Sequence, residues 1–274
     1  MRLVMRSVFY ISDQTGITTE KLGSALLVHF ADIEFRKETF PFSNTSAKVN
    51  QVLIKARNRY MIDGVKPIII SSMVDEKLRK LLNVDYAISI DFFESFIPKL
   101  ETELGTKANM LTGTVHSIGN EDKYNHRIDA IHYSLENDDG VSSKHYDEAD
   151  IIIIGVSRVG KTPTSIYLAV NYGIKVANYP LAEVDLQDDH LPKVLTPYHH
   201  KLFGLSIEAE RLHRIRTHRM PGRKYAEMDT CISEIKAAER IMHNCGVPFL
   251  NSSHKSIEEI SVAIVQMVRL SKQF

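Results

Sequence analysis

The chain has 274 residues with 34 acidic and 34 basic side chains, so its formal charge of zero carries no general attraction to nucleic acid or another acidic polymer, and any cationic site must be local. No apolar run approaches the roughly 18 residues of a membrane span. The start MRLVMRSVFYISD passes into polar sequence without a signal-peptide cleavage pattern, which leaves the cytoplasm as the expected compartment.

The length allows one large domain or two of medium size. Ser7 to Ile11 reads as a first strand, and the polar turn Ser12-Asp13-Gln14-Thr15-Gly16 leads into a helix from Thr18 to Phe30. A turn of that composition between strand and helix is either a ligand-binding loop of an open α/β sheet or an ordinary helix cap. Strand and helix signals then alternate: strand Glu34 to Phe40, helix Ser46 to Tyr60, strand Pro67 to Ser71, helix Asp75 to Leu82, strand Tyr86 to Ile90 and helix Phe92 to Leu104. Such alternation predicts a parallel sheet covered by helices. Between Gly105 and Lys123 the periodicity lapses, marking a domain junction.

A helix from His126 to Leu135 ends in Asn137-Asp138-Asp139-Gly140, two adjacent carboxylates that suit either a magnesium–nucleotide complex or a helix-terminating turn. Ile151 to Ile154 is an unbroken β-branched run, which is how a strand buried on both faces of a parallel sheet reads. It opens onto Gly155-Val156-Ser157-Arg158-Val159-Gly160-Lys161-Thr162, whose spacing G-x-x-x-x-G-K-[ST] predicts a phosphate-binding loop. Glycines let the backbone approach a polyphosphate, and Lys161 supplies a point charge on what this placement makes an exposed side chain. Thr162 is placed to ligate magnesium, and Arg158 adds a second cation on the loop. Pro163 suits the first turn of the following helix.

Strands at Lys175 to Asn178 and Lys201 to Ile207 flank a proline-bounded loop from Pro180 to Pro197 that carries Asp185, Asp188 and Asp189. The helix Glu208 to His218 and its continuation to Lys224 form a basic run, read as a solvated face or as a docking surface or lid over phosphates. A helix Met228 to Asn244, a strand Pro248 to Asn251 and a helix Ile257 to Leu270 complete the pattern, with no internal repeat in the sequence. Cys231 and Cys245 lack zinc or redox spacing, and the 12 histidines form no ligand pair on a helix face. One part is missing. Phosphate-loop enzymes carry a second strand ending in a magnesium-directed Asp, and no apolar run after residue 162 ends that way, so the second carboxylate must come from an irregular place.

The expected fold is α/β: an N-terminal α/β domain with a parallel sheet over 1–105, a connecting segment with one helix over 106–144, and a C-terminal phosphate-loop, kinase-like α/β domain over 145–274. The extended motif from Gly155 to Ala169, with FYISDQTGIT at Phe9 to Thr18, RIDAIHYSLENDDG at Arg127 to Gly140, VANYPL at Val176 to Leu181 and KLFGLSI at Lys201 to Ile207, resembles the bacterial regulatory proteins of phosphoenolpyruvate synthase and pyruvate, phosphate dikinase. ANYPL, KLFGLSI and the terminal LSKQF are closer to the synthase branch. The resemblance implies a bifunctional kinase and pyrophosphorylase. Such an enzyme uses ADP to phosphorylate and inactivate a threonine of the synthase, and inorganic phosphate to remove the group as pyrophosphate, with magnesium expected. Lys161, Arg158, the loop N–H groups from Gly155 to Thr162 and a magnesium ion on Thr162 would position and neutralise the phosphates. No motif identifies the base; Asp185, Asp139 and Asp13 are the candidates in that order. Dikinase as the partner, a nucleotide-dependent switch without chemistry, and a small-molecule kinase are the competing readings, and the sequence leaves open whether copies of the chain associate.

Overall fold

The computed structural model describes residues 4–110, 121–138 and 145–271, and the chain divides into two compact units, Met1–Ser117 and Ile118–Phe274. Residues 111–120 and 139–144 of the expected connecting segment, Asp139 among them, lie outside the described residues.

The first unit alternates β1 (Val4–Ile11), α1 (Ile17–Leu27), β2 (Ile33–Phe40), α2 (Ser46–Asp63), β3 (Ile68–Ser71), α3 (Glu76–Leu81), β4 (Ile88–Asp91) and α4 (Phe92–Leu104). Its strands pair in parallel in the order β2-β1-β3-β4. Successive side chains of a strand point to opposite faces, and both faces of β1 are covered. Phe9 and Ile11 pack with Val49, Val52 and Leu53 of α2, while Val8 and Tyr10 pack with Leu27 of α1 and Phe92 of α4. The starts of α3 and α4 are fixed by carboxylate caps: Asp75 Oδ1 accepts from the N–H groups of Lys77 and Leu78, and Asp91 Oδ1 from that of Glu94. Each cap is worth about 1 kcal/mol.

The second unit contains α5 (Glu121–Glu136), β5 (Ile151–Gly155), α6 (Lys161–Tyr172), β6 (Val176–Pro180), β7 (Leu202–Ser206), α7 (Ala209–Arg219), α8 (Met228–Asn244), β8 (Phe249–Asn251) and α9 (Ile257–Ser271). Its strands are also parallel, in the order β6-β5-β7-β8. Both sheets therefore have the same order, second-first-third-fourth, although the sequence shows no internal repeat. Ile151 to Ile154 are each no more than 1% exposed and form the middle of the core cluster. Helix α6 packs against α5 and α9, and α8 against α7 and β7, so α5 belongs with this unit. The loop between β6 and β7 carries two 3-10 turns, Asp185–Gln187 and Thr196–Lys201.

Candidate phosphate-binding site

The strand β5 is flanked by β6 on one side and β7 on the other, so the two connections leave it in opposite directions. Open α/β sheets bind ligands at the carboxyl end of such a switch point. Gly155 stands there with φ 151°, and a Cβ on it would lie 2.3 Å from the Leu205 carbonyl oxygen of the neighbouring strand.

The loop that follows is held by its carbonyls. The Gly155 oxygen accepts from the Leu181 N–H at 3.1 Å. The Lys161 ammonium donates to the carbonyls of Gly155 and Val156, both at 3.0 Å. The Ser157 oxygen accepts from Arg216 at 3.2 Å, the Val159 oxygen from the Ser252 hydroxyl at 2.9 Å, and the Gly160 oxygen from the Thr164 N–H at 3.2 Å. In a planar trans peptide the N–H points opposite to the preceding C=O. The N–H groups of Val156, Ser157, Arg158, Gly160 and Lys161 are thereby turned away from these donors, as in a backbone nest for an anion. Helix α6 begins at Lys161, and its N-cap Gly160, at φ 101°, provides no side-chain cap, so the first-turn donors and the positive end of the helix add to the same feature.

Arg158 is exposed and holds φ 79°. For a residue with a Cβ that left-handed backbone costs about 1–2 kcal/mol. The held carbonyls on either side, of Ser157 and Val159, maintain it. Lys161 corrects an expectation: it is 4% exposed rather than exposed, because its ammonium folds back onto the loop carbonyls.

A carboxylate from outside the loop reaches Thr162, that of Asp138. Its Oδ1 accepts from the Thr162 hydroxyl at 2.9 Å and from Asn178 Nδ2 at 2.6 Å. It arrives there because the end of α5 is stitched to β6, with the Asn178 N–H donating to the Asn137 carbonyl at 3.0 Å. The sequence showed the Asp-Asp-Gly turn but not which carboxylate meets the threonine. Thr162 and Asp138 offer hard oxygen donors side by side, which fits magnesium, an ion that takes one or two protein ligands and completes its shell with water and phosphate oxygens. Among the described residues no group of three or more His, Cys, Asp or Glu side chains could hold a metal ion.

The other expected carboxylates are placed as follows. Asp185 accepts from the Tyr179 hydroxyl at 3.2 Å and from the Ala182 N–H at 2.9 Å. It therefore sits just beyond the end of β6, whose Pro180 is the register partner of Gly155. Burial, followed by the Asp185 charge, pushes the Tyr179 hydroxyl up to about 12, so it stays a donor. Asp188 is exposed and Asp189 is paired with Arg240 at 2.6 Å. Asp13 lies in the first unit, 3% exposed, its Oδ2 accepting from the Val74 N–H at 2.7 Å and tying the β3–α3 connection to the end of β1. The turn after Asp13 borders a cavity of about 510 Å³ lined by Thr15, Ser72, Phe93, Phe96 and Leu100.

The basic run divides in two. Arg214, Arg219, Arg223 and Lys224 are exposed, as a solvated or docking face requires. Arg216 is instead fully buried, because it shares a helix face with Leu212, one turn earlier, which is also fully buried.

The described residues include no helix long and apolar enough to cross a membrane. Residues 8–265 match the model of the kinase/pyrophosphorylase family. The chain is 47% identical over 270 residues to a protein of Laribacter hongkongensis provisionally named phosphoenolpyruvate synthase regulatory protein, covering 98% of each. It is 46% identical to proteins of the same provisional name from Acinetobacter baylyi, over 99% of this chain and 98% of the relative, and from Neisseria meningitidis, over 98% of each.

Proposed function

The chain belongs to the kinase/pyrophosphorylase family, and from that premise we propose that it regulates phosphoenolpyruvate synthase by moving a phosphoryl group on and off one of its threonines. In one direction the threonine oxygen attacks the terminal phosphorus of ADP, the bridging P–O bond breaks, AMP leaves and the hydroxyl proton passes to a base. In the other, an oxygen of inorganic phosphate attacks the phosphothreonine phosphorus, the bond to threonine breaks, the threonine oxygen leaves and takes up the proton that the phosphate gives up, and pyrophosphate is released. The observation that carries this reading is the loop from Gly155 to Gly160 with its carbonyls held by the protein, headed by Lys161 and followed by the Thr162–Asp138 contact.

Both directions are dominated by positioning and charge neutralisation. The loop N–H groups and the head of α6 would hold the phosphates, and Lys161 and Arg158 would oppose their charge. Thr162 and Asp138 would hold a magnesium ion, which when bound supplies Lewis-acid polarisation of the phosphoryl oxygens. Asp185 and Asp139 are the carboxylates proposed to take the threonine proton, ahead of Asp13, which caps backbone in the first unit. The synthase is preferred over pyruvate, phosphate dikinase as partner because the relatives reported above carry the synthase in their names.

Incubation with purified synthase and ADP labelled in its terminal phosphate should produce labelled phosphothreonine, and added phosphate should release the label as pyrophosphate. Label found only on a small metabolite, or nucleotide binding without transfer, would reject the reading. Asp138→Asn, which removes the charge from one of the two side chains proposed to hold magnesium, should raise the magnesium concentration needed for half-maximal rate by at least the roughly tenfold to hundredfold that loss of a mere orienting group costs; an unchanged magnesium dependence would remove Asp138 from the site.

One phosphate loop also has to serve both directions. In each, a phosphoryl group lies between the loop and the threonine, so inorganic phosphate would take the place of the ADP terminal phosphate. ADP is then expected to inhibit dephosphorylation competitively against phosphate, measured with phosphate varied at fixed ADP concentrations. Noncompetitive inhibition, with selective loss of dephosphorylation on Thr15 substitution, would place phosphate at the turn of the first unit instead.

A further inference from the structure

Among the described residues the largest fully buried side chain is a cation. Arg216 is 0% exposed, and its guanidinium touches three separate segments. Nη1 donates to the Tyr225 carbonyl at 3.0 Å. Nη2 donates to Glu234 of α8 at 2.6 Å and to the Ser157 carbonyl of the phosphate loop at 3.2 Å. The Tyr225 ring lies against it, 4.2 Å from the guanidinium carbon.

A buried ion pair is a costly way to stabilise a fold, since apolar side chains of similar volume do as well or better. The fork of Arg216 does something an apolar residue cannot. It fixes the plane of the Ser157–Arg158 peptide, and that peptide enters the one loop residue that carries a Cβ in a left-handed backbone. Rotation of this peptide would relieve Arg158 and carry its N–H out of the row of donors. A donor on the Ser157 oxygen opposes the rotation.

We infer that Arg216, oriented by Glu234 and Tyr225, is a positioning residue of the phosphate loop, holding the Arg158 N–H toward a bound phosphate. The inference rests on the phosphate-site reading proposed above, and it assigns Arg216 no contact with the reacting atoms.

Three proteins test it: the unaltered full chain, the double variant Arg216→Met/Glu234→Leu, and Arg216→Lys. Magnesium–ADP and, separately, inorganic phosphate are titrated by calorimetry, and melting is followed for each. The double variant, its ion pair replaced by apolar side chains, should still fold, melting below the unaltered chain by no more than the loss of a donor to the Ser157 and Tyr225 carbonyls explains. It should bind both ligands about tenfold more weakly or worse, the worth of one well-placed donor to an anion. Arg216→Lys keeps a cation opposite Glu234 but has one terminal nitrogen where Nη1 and Nη2 together reach Tyr225, Glu234 and Ser157 in a fixed plane, so it should fold and bind weakly as well. Should the double variant fail to fold, Arg216→Lys decides. Folded variants with unaltered affinity would overturn this inference alone, whereas an unaltered chain that binds neither ligand would overturn the phosphate-site reading and the inference with it.

Discussion

Lys161→Met is expected to lower phosphorylation and dephosphorylation together, each by about 10³-fold, the upper range for removing one charge-stabilising donor from a preorganised site. The substitution keeps the length of the side chain and removes only the ammonium. Both reactions move a phosphoryl group past the head of α6, where Lys161 begins the helix, so the loss should not distinguish them. Lys161→Arg should fail to restore the rate, because a planar fork cannot take the place of a compact ammonium folded against two carbonyls. The burial of Lys161 adds a second consequence. Its removal leaves the Gly155 and Val156 carbonyls short of a donor, at a cost of about 1–3 kcal/mol in stability. Single-turnover transfer from labelled ADP, read beside a urea denaturation midpoint, separates the two effects. Near-normal rates in either direction would show that the phosphate loop is not the reaction centre.

What could be read from the sequence and what could not follow from the range of the interactions. Ile151 to Ile154 and the glycines after them announce a buried strand and its loop because each of those residues answers to its own backbone and its immediate neighbours. The alternation of elements gave the parallel sheets for the same reason. Asp138 was only half legible. Its partner Thr162 is 24 residues away, and the contact depends on Asn178 of a third element pairing with the end of α5. The identical order of the two sheets left no trace as a repeat, since strand order is set by which crossovers pack and not by residue identity. Arg216 was concealed by its neighbours: within a run of exposed cations it reads as another, and the one available signal was its position one helical turn after a core leucine. Lys161 shows the converse, a residue whose place at the head of α6 was legible while its burial was not, because the carbonyls that bury it belong to the loop's folded path.

Gly155→Ala should be the most damaging single methyl group in the loop, and comparison with Gly160→Ala shows why. Both glycines have positive φ, 151° and 101°, so both substitutions incur the backbone penalty, about 1–3 kcal/mol. At Gly160 that is the whole cost, since a Cβ there meets no atom within 4 Å. At Gly155 the new carbon would sit 2.3 Å from the Leu205 carbonyl oxygen and 3.2 Å from Val159 Cγ2. The oxygen belongs to β7, the strand paired with β5, and backbone in the middle of a sheet has little room to yield. The end of β5 must therefore move, and with it the Gly155 carbonyl that receives both Lys161 and the Leu181 N–H. Gly155→Ala is expected to lose about 3–5 kcal/mol of stability, within the range reserved for backbone strain combined with overpacking. Its remaining folded population should bind magnesium–ADP far more weakly than Gly160→Ala does. Urea denaturation of the two variants, followed by ADP titration at a denaturant-free temperature where both are folded, makes the comparison. Equal losses at the two positions would mean that the close approach of β7 does not set the shape of the loop, and that the left-handed backbone alone accounts for glycine at its entrance.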